Sequence, residues 1–349
     1  MTPGLTRWSL LKATRAAWLA VAYPNLNLMW WPAHRSPPAA LTRRWTVFGL
    51  KRAPRMGSTG FEFKAIGTSW KIEIYDDLSP SGHKEIKLAI DRRIDQFDQI
   101  YSRFRPDSLV SQIAKSPGKY QFPDDSVELF KLYRTAYELT VGLVTPLIGG
   151  MMADAGYDRD YSFKQRPIRT VPDWDEVMSF SGTTLTTRQP VQLDFGAAGK
   201  GYLVDLVGEV LERHGYRQYL VNAGGDMRHR GRSPLRVGLE DPTDSTKAIG
   251  VFELRNKSLC ASATNRRRWG DYHHVMDPAA QKSTDRVVAT WAVADTTALA
   301  DMAATALFFS TPDQLHQLGS FEYALIDKGG HMVASSALEP AIFKPKGIQ

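Results

Sequence analysis

The sequence predicts a mixed α+β protein, on three observations. Residues 61–65 and 70–74 alternate apolar and polar side chains, the period of two of half-buried strands. Residues 86–100 and 203–211 instead space their apolar side chains three and four apart, which gives a helix one apolar face. At 349 residues, 43% apolar and 23% charged, the chain can bury one large core or two joined lobes.

Residues 1–58 read as a basic, aromatic and poorly ordered extension. Its Lys and Arg residues, from Arg7 to Arg55, meet no Asp or Glu, and Trp8, Trp18, Trp30, Trp31 and Trp45 lie among them. Such an arm suits a targeting peptide or contact with a membrane surface. Its longest apolar run, residues 16–22, is far short of the ~20 residues that span a bilayer. Pro24, Asn25 and Asn27 interrupt any secretory signal. A cytoplasmic location is expected, with export or membrane association through the arm as the alternative. The lone Cys260 allows no internal disulfide, in keeping with a reducing compartment. The net charge of +7 would suit an anionic ligand, but much of the excess sits in the arm, and no nucleic-acid partner is expected.

The ordered unit is expected over residues 59–338, with 339–349 as a tail. Gly67 and Thr68 separate the first two strand runs, which predicts a strand pair or one kinked strand. Ile86, Ile90, Ile94, Phe97 and Ile100 mark a helix over 81–101, and residues 126–139 mark a second, with Ser126 as candidate N-cap. Residues 157–190 are polar, interrupted by proline and short in strand signals; local packing is expected of Trp174 and Val177, and no chemistry.

The stretch from 191 to 231 is the most informative. An apolar run at 191–195 predicts a strand, Gly196-Ala197-Ala198-Gly199-Lys200-Gly201 a turn, and Leu203, Leu206, Val207, Val210 and Leu211 a helix ended by His214-Gly215. Tyr219, Leu220 and Val221 then predict a strand running into Asn222-Ala223-Gly224-Gly225-Asp226. Glycine-rich turns can aim backbone N–H groups at an anion, with a lysine to neutralise phosphate, or can be ordinary tight turns. Neither the nucleotide P-loop pattern nor the dinucleotide fingerprint is present.

Strands are further expected at 235–242, 288–293 and 323–326. Between the last two, residues 297–310 predict an apolar helix that carries one acid, Asp301. A buried acid needs a cation or several hydrogen bonds. Thr305, four residues on, shares its helical face. The pair can offer oxygen ligands to one metal, and hard oxygen donors point to magnesium.

The ordered strings D-F-G-A-A-G-K-G-Y-x-x-D and V-N-A-G-G-D resemble the FAD:protein FMN transferases, the ApbE-like flavin transferases. Further landmarks fit between about residues 61 and 336. Ile66-Gly67-Thr68 stands where M-G-T is usual, Ser102-Arg103-Phe104 begins an S-x-[YF] segment, and Thr140, Gly142 and Pro146 match T-x-G-x-F-[DN]-P, with Thr145 in the acid or amide position. Leu235 to Pro242 follow W-x-V-G-I-x-D-P, with Leu235 in place of the tryptophan; Ser262 matches A-T-S-G, where Ala263 replaces the glycine. His273-His274-Val275-Met276-Asp277-Pro278 is an intact H-H-[IV]-x-D-P.

The resemblance implies an ApbE-like two-lobed fold, mainly antiparallel sheets with packed helices, and an active site between the lobes. It implies Mg²⁺-dependent transfer of the FMN half of FAD to a Ser or Thr hydroxyl of an acceptor flavoprotein, with release of AMP. The alternatives are a FAD pyrophosphatase and a non-catalytic flavin-binding protein. Magnesium would be held by Asp301, Thr305 and the carbonyl of Ala197, or in second place of Ala198. His274, rather than His273, would take the hydroxyl proton, since neutral imidazole is a base at neutral pH. Lys200 and the glycine-loop amides would hold phosphates, and Asn222, Gly224, Gly225, Asp226 and Ser262 would fix the nucleotide, with a turn-stabilising role as the alternative for Asp226. Ile66 and Phe104 would touch the flavin, with a place in the core as the alternative for Phe104. Acceptors carry a D-x-x-[ST]-[GA]-A-[ST] loop, and Ser262-Ala263-Thr264 lacks its acid, so self-modification is not expected.

Overall fold

The computed structural model describes residues 29–30, 59–77 and 79–343. The extension of residues 1–58 therefore lies outside the described residues, apart from the two-residue strand β1 (Met29–Trp30). β2 (Thr59–Ala65) and β3 (Thr68–Ile74) form the expected pair, joined at Ile66 and Gly67, both left-handed at φ 43° and 73°. Glycine tolerates that conformation; a β-branched residue does so only when its surroundings fix it.

α1 (Pro80–Tyr101) starts where Ser79 accepts a hydrogen bond from the Gly82 amide at 3.1 Å, and buries Ile86, Ile90, Ile94, Phe97 and Tyr101. There follow α2 (Leu109–Ile113), β4 (Gly118–Gln121), α3 (Ser126–Leu139), α4 (Gly149–Asp154), α5 (Trp174–Val177), β5 (Met178–Ser181) and β6 (Thr184–Thr187). Asp125, not Ser126, occupies the N-cap of α3, and the Ser126 hydroxyl is buried with no hydrogen-bond partner among the described residues. Strands β4, β6 and β5 make a small sheet whose Phe180 stacks on Phe130 at 3.8 Å. The sequence concealed this hairpin, because each strand has four residues and β6 is largely threonine.

The apolar run at 191–195 is not a strand. Val191, Leu193 and Phe195 are buried as expected, but the Val191 amide bonds to the Ile113 carbonyl (3.4 Å) and the Asp194 amide to the Pro146 carbonyl (2.7 Å). The segment is threaded among helices, so it alternates without a ladder. Beyond it lie α6 (Gly199–Arg213), β7 (Tyr219–Ala223), β8 (Asp226–Arg230), β9 (Leu235–Asp241), β10 (Asp244–Leu254), β11 (Ser258–Ala263), β12 (Val287–Ala294), α7 (Thr297–Ala306), β13 (Phe321–Asp327) and β14 (His331–Ala334).

Nine strands pair antiparallel in the order β1-β14-β13-β12-β11-β8-β7-β3-β2. Both faces are covered. Ile72, Ile74 and Val221 point into a core shared with α1 and α6, while the Ala-rich α7 lies on Cys260, Ala292 and Ala294. On the opposite face Leu220, Leu259, Trp291 and Ile326 pack against Val237, Leu239, Ile249 and Leu254 of the β9–β10 hairpin. Each such side chain contributes roughly 1.5–3 kcal/mol by leaving water. Among the described residues no helix is long and apolar enough to cross a membrane.

Candidate active site

The site is built where the start of α6 meets the second half of α7. Asp205 of α6 fixes the start of α7. Its carboxylate accepts the Thr297 amide (2.9 Å), the Thr297 hydroxyl (2.9 Å) and the Ala298 amide (2.8 Å), and Arg228 donates to it at 2.9 Å. An acid at a helix N-terminus is favoured by the helix dipole as well as by these bonds. At Gly201 the helices nearly touch, since a Cβ there would stand 2.3 Å from the Thr297 carbonyl and 2.7 Å from Asp301 Cβ. That approach lets the Gly201 amide donate to Asp301 Oδ2 at 2.9 Å.

The turn before α6 turns its amides inward. Asp194 Oδ1 accepts from the Gly196 amide (2.7 Å), and the buried Tyr133 hydroxyl accepts from those of Ala197 and Ala198 (both 3.2 Å). These three donors, expected to hold phosphates, are used within the protein. What the turn presents is an acceptor, the Ala197 carbonyl, 3.4 Å from the Thr305 hydroxyl. Ala198 is fully buried, so of the two carbonyl candidates the structure brings Ala197 to Thr305.

Asp301 lies one helical turn before Thr305 and is buried. Burial and the neighbouring Asp226 carboxylate push its pKa up to about 8, against the pull of Lys200. The donor set fits a hard divalent cation: a carboxylate, a hydroxyl and a carbonyl line one cavity, with Thr305 against Ala197 and Asp301 one helical turn from Thr305. Asp226 and Cys260 also approach Asp301, and all three are buried.

Lys200 lines the same cavity, but its ammonium is in contact with the Asp226 carboxylate. Asn222 and Asp226 stand behind the wall rather than on it. The Asn222 side chain accepts from the Gly225 amide at 2.9 Å and closes the β7–β8 turn. Gly224 and Gly225, at φ 66° and 111°, form that turn, and a Cβ on Gly224 would meet the Thr68 hydroxyl. Ile66, Phe104, Ala197, Ser262, His274 and Thr305 all line the cavity, which measures about 1110 Å³. This matches the upper end of small-molecule pockets, roughly 300–1,000 Å³.

The two histidines part company. His273 spends both ring nitrogens on the backbone, at the Thr284 carbonyl (2.8 Å) and the Val275 amide (3.3 Å). His274 bonds through Nδ1 to the Arg266 carbonyl at 3.1 Å. A carbonyl only accepts, which assigns the proton to Nδ1 and leaves Nε2 with a lone pair. Burial, with the charge of Arg267, lowers the His274 pKa to about 3, so the ring is neutral at physiological pH.

Phe104 is already covered, by Tyr161 stacked parallel at 5.0 Å and by the Arg103 guanidinium at 4.2 Å. Tyr157 and Tyr161 also line the cavity, in the region read as devoid of chemistry. The aromatic residues of that stretch were a signal; their irregular spacing hid it.

A family model for the ApbE family matches residues 66–326. The chain belongs to the ApbE family. Among relatives, it is 27% identical over 275 residues to a FAD:protein FMN transferase of Rhodobacter capsulatus, covering 73% of this chain and 51% of that one. The FAD:protein FMN transferase of Vibrio cholerae is 23% identical over 307 residues, with 80% and 91% covered. This ApbE-family chain thus spans about half the length of the first relative and most of the second. In solved structures its fold is that of the flavin transferase ApbE from Vibrio cholerae, with a TM-score of 0.69 at 21% identity, covering 82% of this chain and 99% of that one. The ApbE protein from Thermotoga maritima aligns with a TM-score of 0.68, also at 21% identity and with 82% and 99% covered.

Proposed function

We propose that this chain transfers the FMN moiety of FAD to a serine or threonine hydroxyl of an acceptor protein, with magnesium as cofactor and AMP as the leaving group. The reading is carried by one large cavity whose wall holds the Asp301 carboxylate, the Thr305 hydroxyl against the Ala197 carbonyl, and a neutral His274. The names of its relatives supply the substrate. The acceptor oxygen bonds to the phosphorus of the FMN half, and the bond from that phosphorus to the bridging oxygen breaks, so AMP departs with the bridging oxygen. His274 Nε2 takes the hydroxyl proton. Asp301, Thr305 and Ala197 would hold the magnesium, which when bound neutralises diphosphate charge and stabilises the charge growing on AMP.

Incubation with FAD, MgCl₂ and an acceptor domain tests this. Flavin fluorescence fixed on the denatured acceptor, with equimolar AMP, is the expected result. AMP without labelled acceptor would mean hydrolysis, and neither product would mean a binding protein. His274→Ala should slow transfer by about a hundredfold or more, the usual worth of a general base. Full transfer by that variant between pH 6 and 8 would remove His274 from the mechanism.

A further inference from the structure

The groups first expected to meet the phosphates are engaged elsewhere. The amides of Gly196, Ala197 and Ala198 are bonded to Asp194 and Tyr133, and Lys200 is paired with Asp226. The other cations on the cavity wall are matched in the same way. Arg103 pairs with Asp194, Arg105 with Asp95, Asp98 and Asp107, and Arg266 with Glu240. Among the described residues, Arg267 alone of the cavity-lining lysines and arginines has neither an ion-pair nor a hydrogen-bond partner for its side chain. An anionic ligand entering here meets one uncompensated positive charge.

The backbone that carries Arg267 on the cavity wall is fixed. It is left-handed, at φ 47°, a conformation that costs a non-glycine residue and persists only where its surroundings fix it. Arg266 on one side is tied to Glu240, and Arg268 on the other begins the two-residue ladder with Tyr272–His273. Arg267 lines the same cavity as Lys200, His274 and Asp301, and its charge acts on all three. A guanidinium offers a planar fork of donors that suits two phosphate oxygens.

We infer that Arg267 binds the diphosphate of FAD and that Lys200 acts from behind, as the counter-ion of Asp226. This rests on the FAD reading above and moves to Arg267 the phosphate-binding role expected of Lys200.

The test compares binding of FAD and of riboflavin, which lacks phosphate, by flavin fluorescence in the wild type, Arg267→Ala and Arg267→Lys. Arg267→Ala should weaken FAD binding at least about tenfold, the loss of one charge-assisted contact, and leave riboflavin binding unchanged. Arg267→Lys should recover part of the loss, and added salt should weaken the wild type more than Arg267→Ala. FAD binding that is equal in the wild type and Arg267→Ala would overturn the inference, as would an equal fall for riboflavin. Failure of the wild type itself to bind FAD would instead overturn the proposed function, and this inference with it.

Discussion

Asp301→Asn is expected to abolish magnesium-dependent flavin transfer while making the metal-free protein more stable at pH 8. The carboxamide keeps the shape of the carboxylate and can still accept the Gly201 amide, so α6 and α7 need not move. What disappears is a buried negative charge beside Asp226. In the folded chain the Asp301 pKa is raised to about 8 from an ordinary value of 3.8. Between those values the unfolded chain has released a proton that the folded chain retains, so rising pH erodes the folded state across that window and no further above it. The gain from Asp301→Asn should therefore be absent near pH 4, grow towards pH 8 and then level off. Magnesium reverses the order, because a ligand that binds only the folded wild type stabilises only the wild type. Thermal unfolding from pH 4 to 9, with and without MgCl₂, reads both signs. Equal stabilisation of both proteins by magnesium would remove Asp301 from the metal site.

The sequence made some parts of this arrangement plain and hid others, for physical reasons. The two helices that carry the site were legible, since an apolar face repeats whatever it packs against, and His214-Gly215 closes α6 as read. So was the pairing of Asp301 with Thr305, because four residues is one turn of helix wherever the helix lies. The strand expected at 191–195 failed because alternation reports burial on one side, and a segment threaded between helices is buried in the same way. The orientation of the Gly196–Ala198 turn was hidden as well. Glycine and alanine announce a tight bend, but which way its amides face depends on Tyr133, more than sixty residues earlier. Asp205 is similar: the last acid of a familiar string turned out to cap a helix that begins 92 residues later. Side chains that act across such distances leave no local period, so they are found only when the fold is known.

Gly201→Ala should damage stability and metal binding together, although it adds one methyl group far from solvent. In most helices this exchange is favourable by about 1 kcal/mol, because alanine loses less entropy on folding. Here the new carbon would stand 2.3 Å from the Thr297 carbonyl and 2.7 Å from Asp301 Cβ. The first of these is backbone at the capped start of α7, held by Asp205, so it cannot step aside as a side-chain tip would. The helices must separate, which breaks the bond from the Gly201 amide to Asp301 and moves Asp301 and Thr305 away from the Ala197 carbonyl. Overpacking of this kind costs typically 1–3 kcal/mol. The variant should therefore unfold at lower temperature and need a higher magnesium concentration for half-maximal transfer, whereas Gly215→Ala, at an open left-handed helix end, should affect stability alone. A Gly201→Ala protein with an unchanged magnesium requirement would show that the close contact of α6 with α7 serves packing only, and that the metal ligands are positioned by something else.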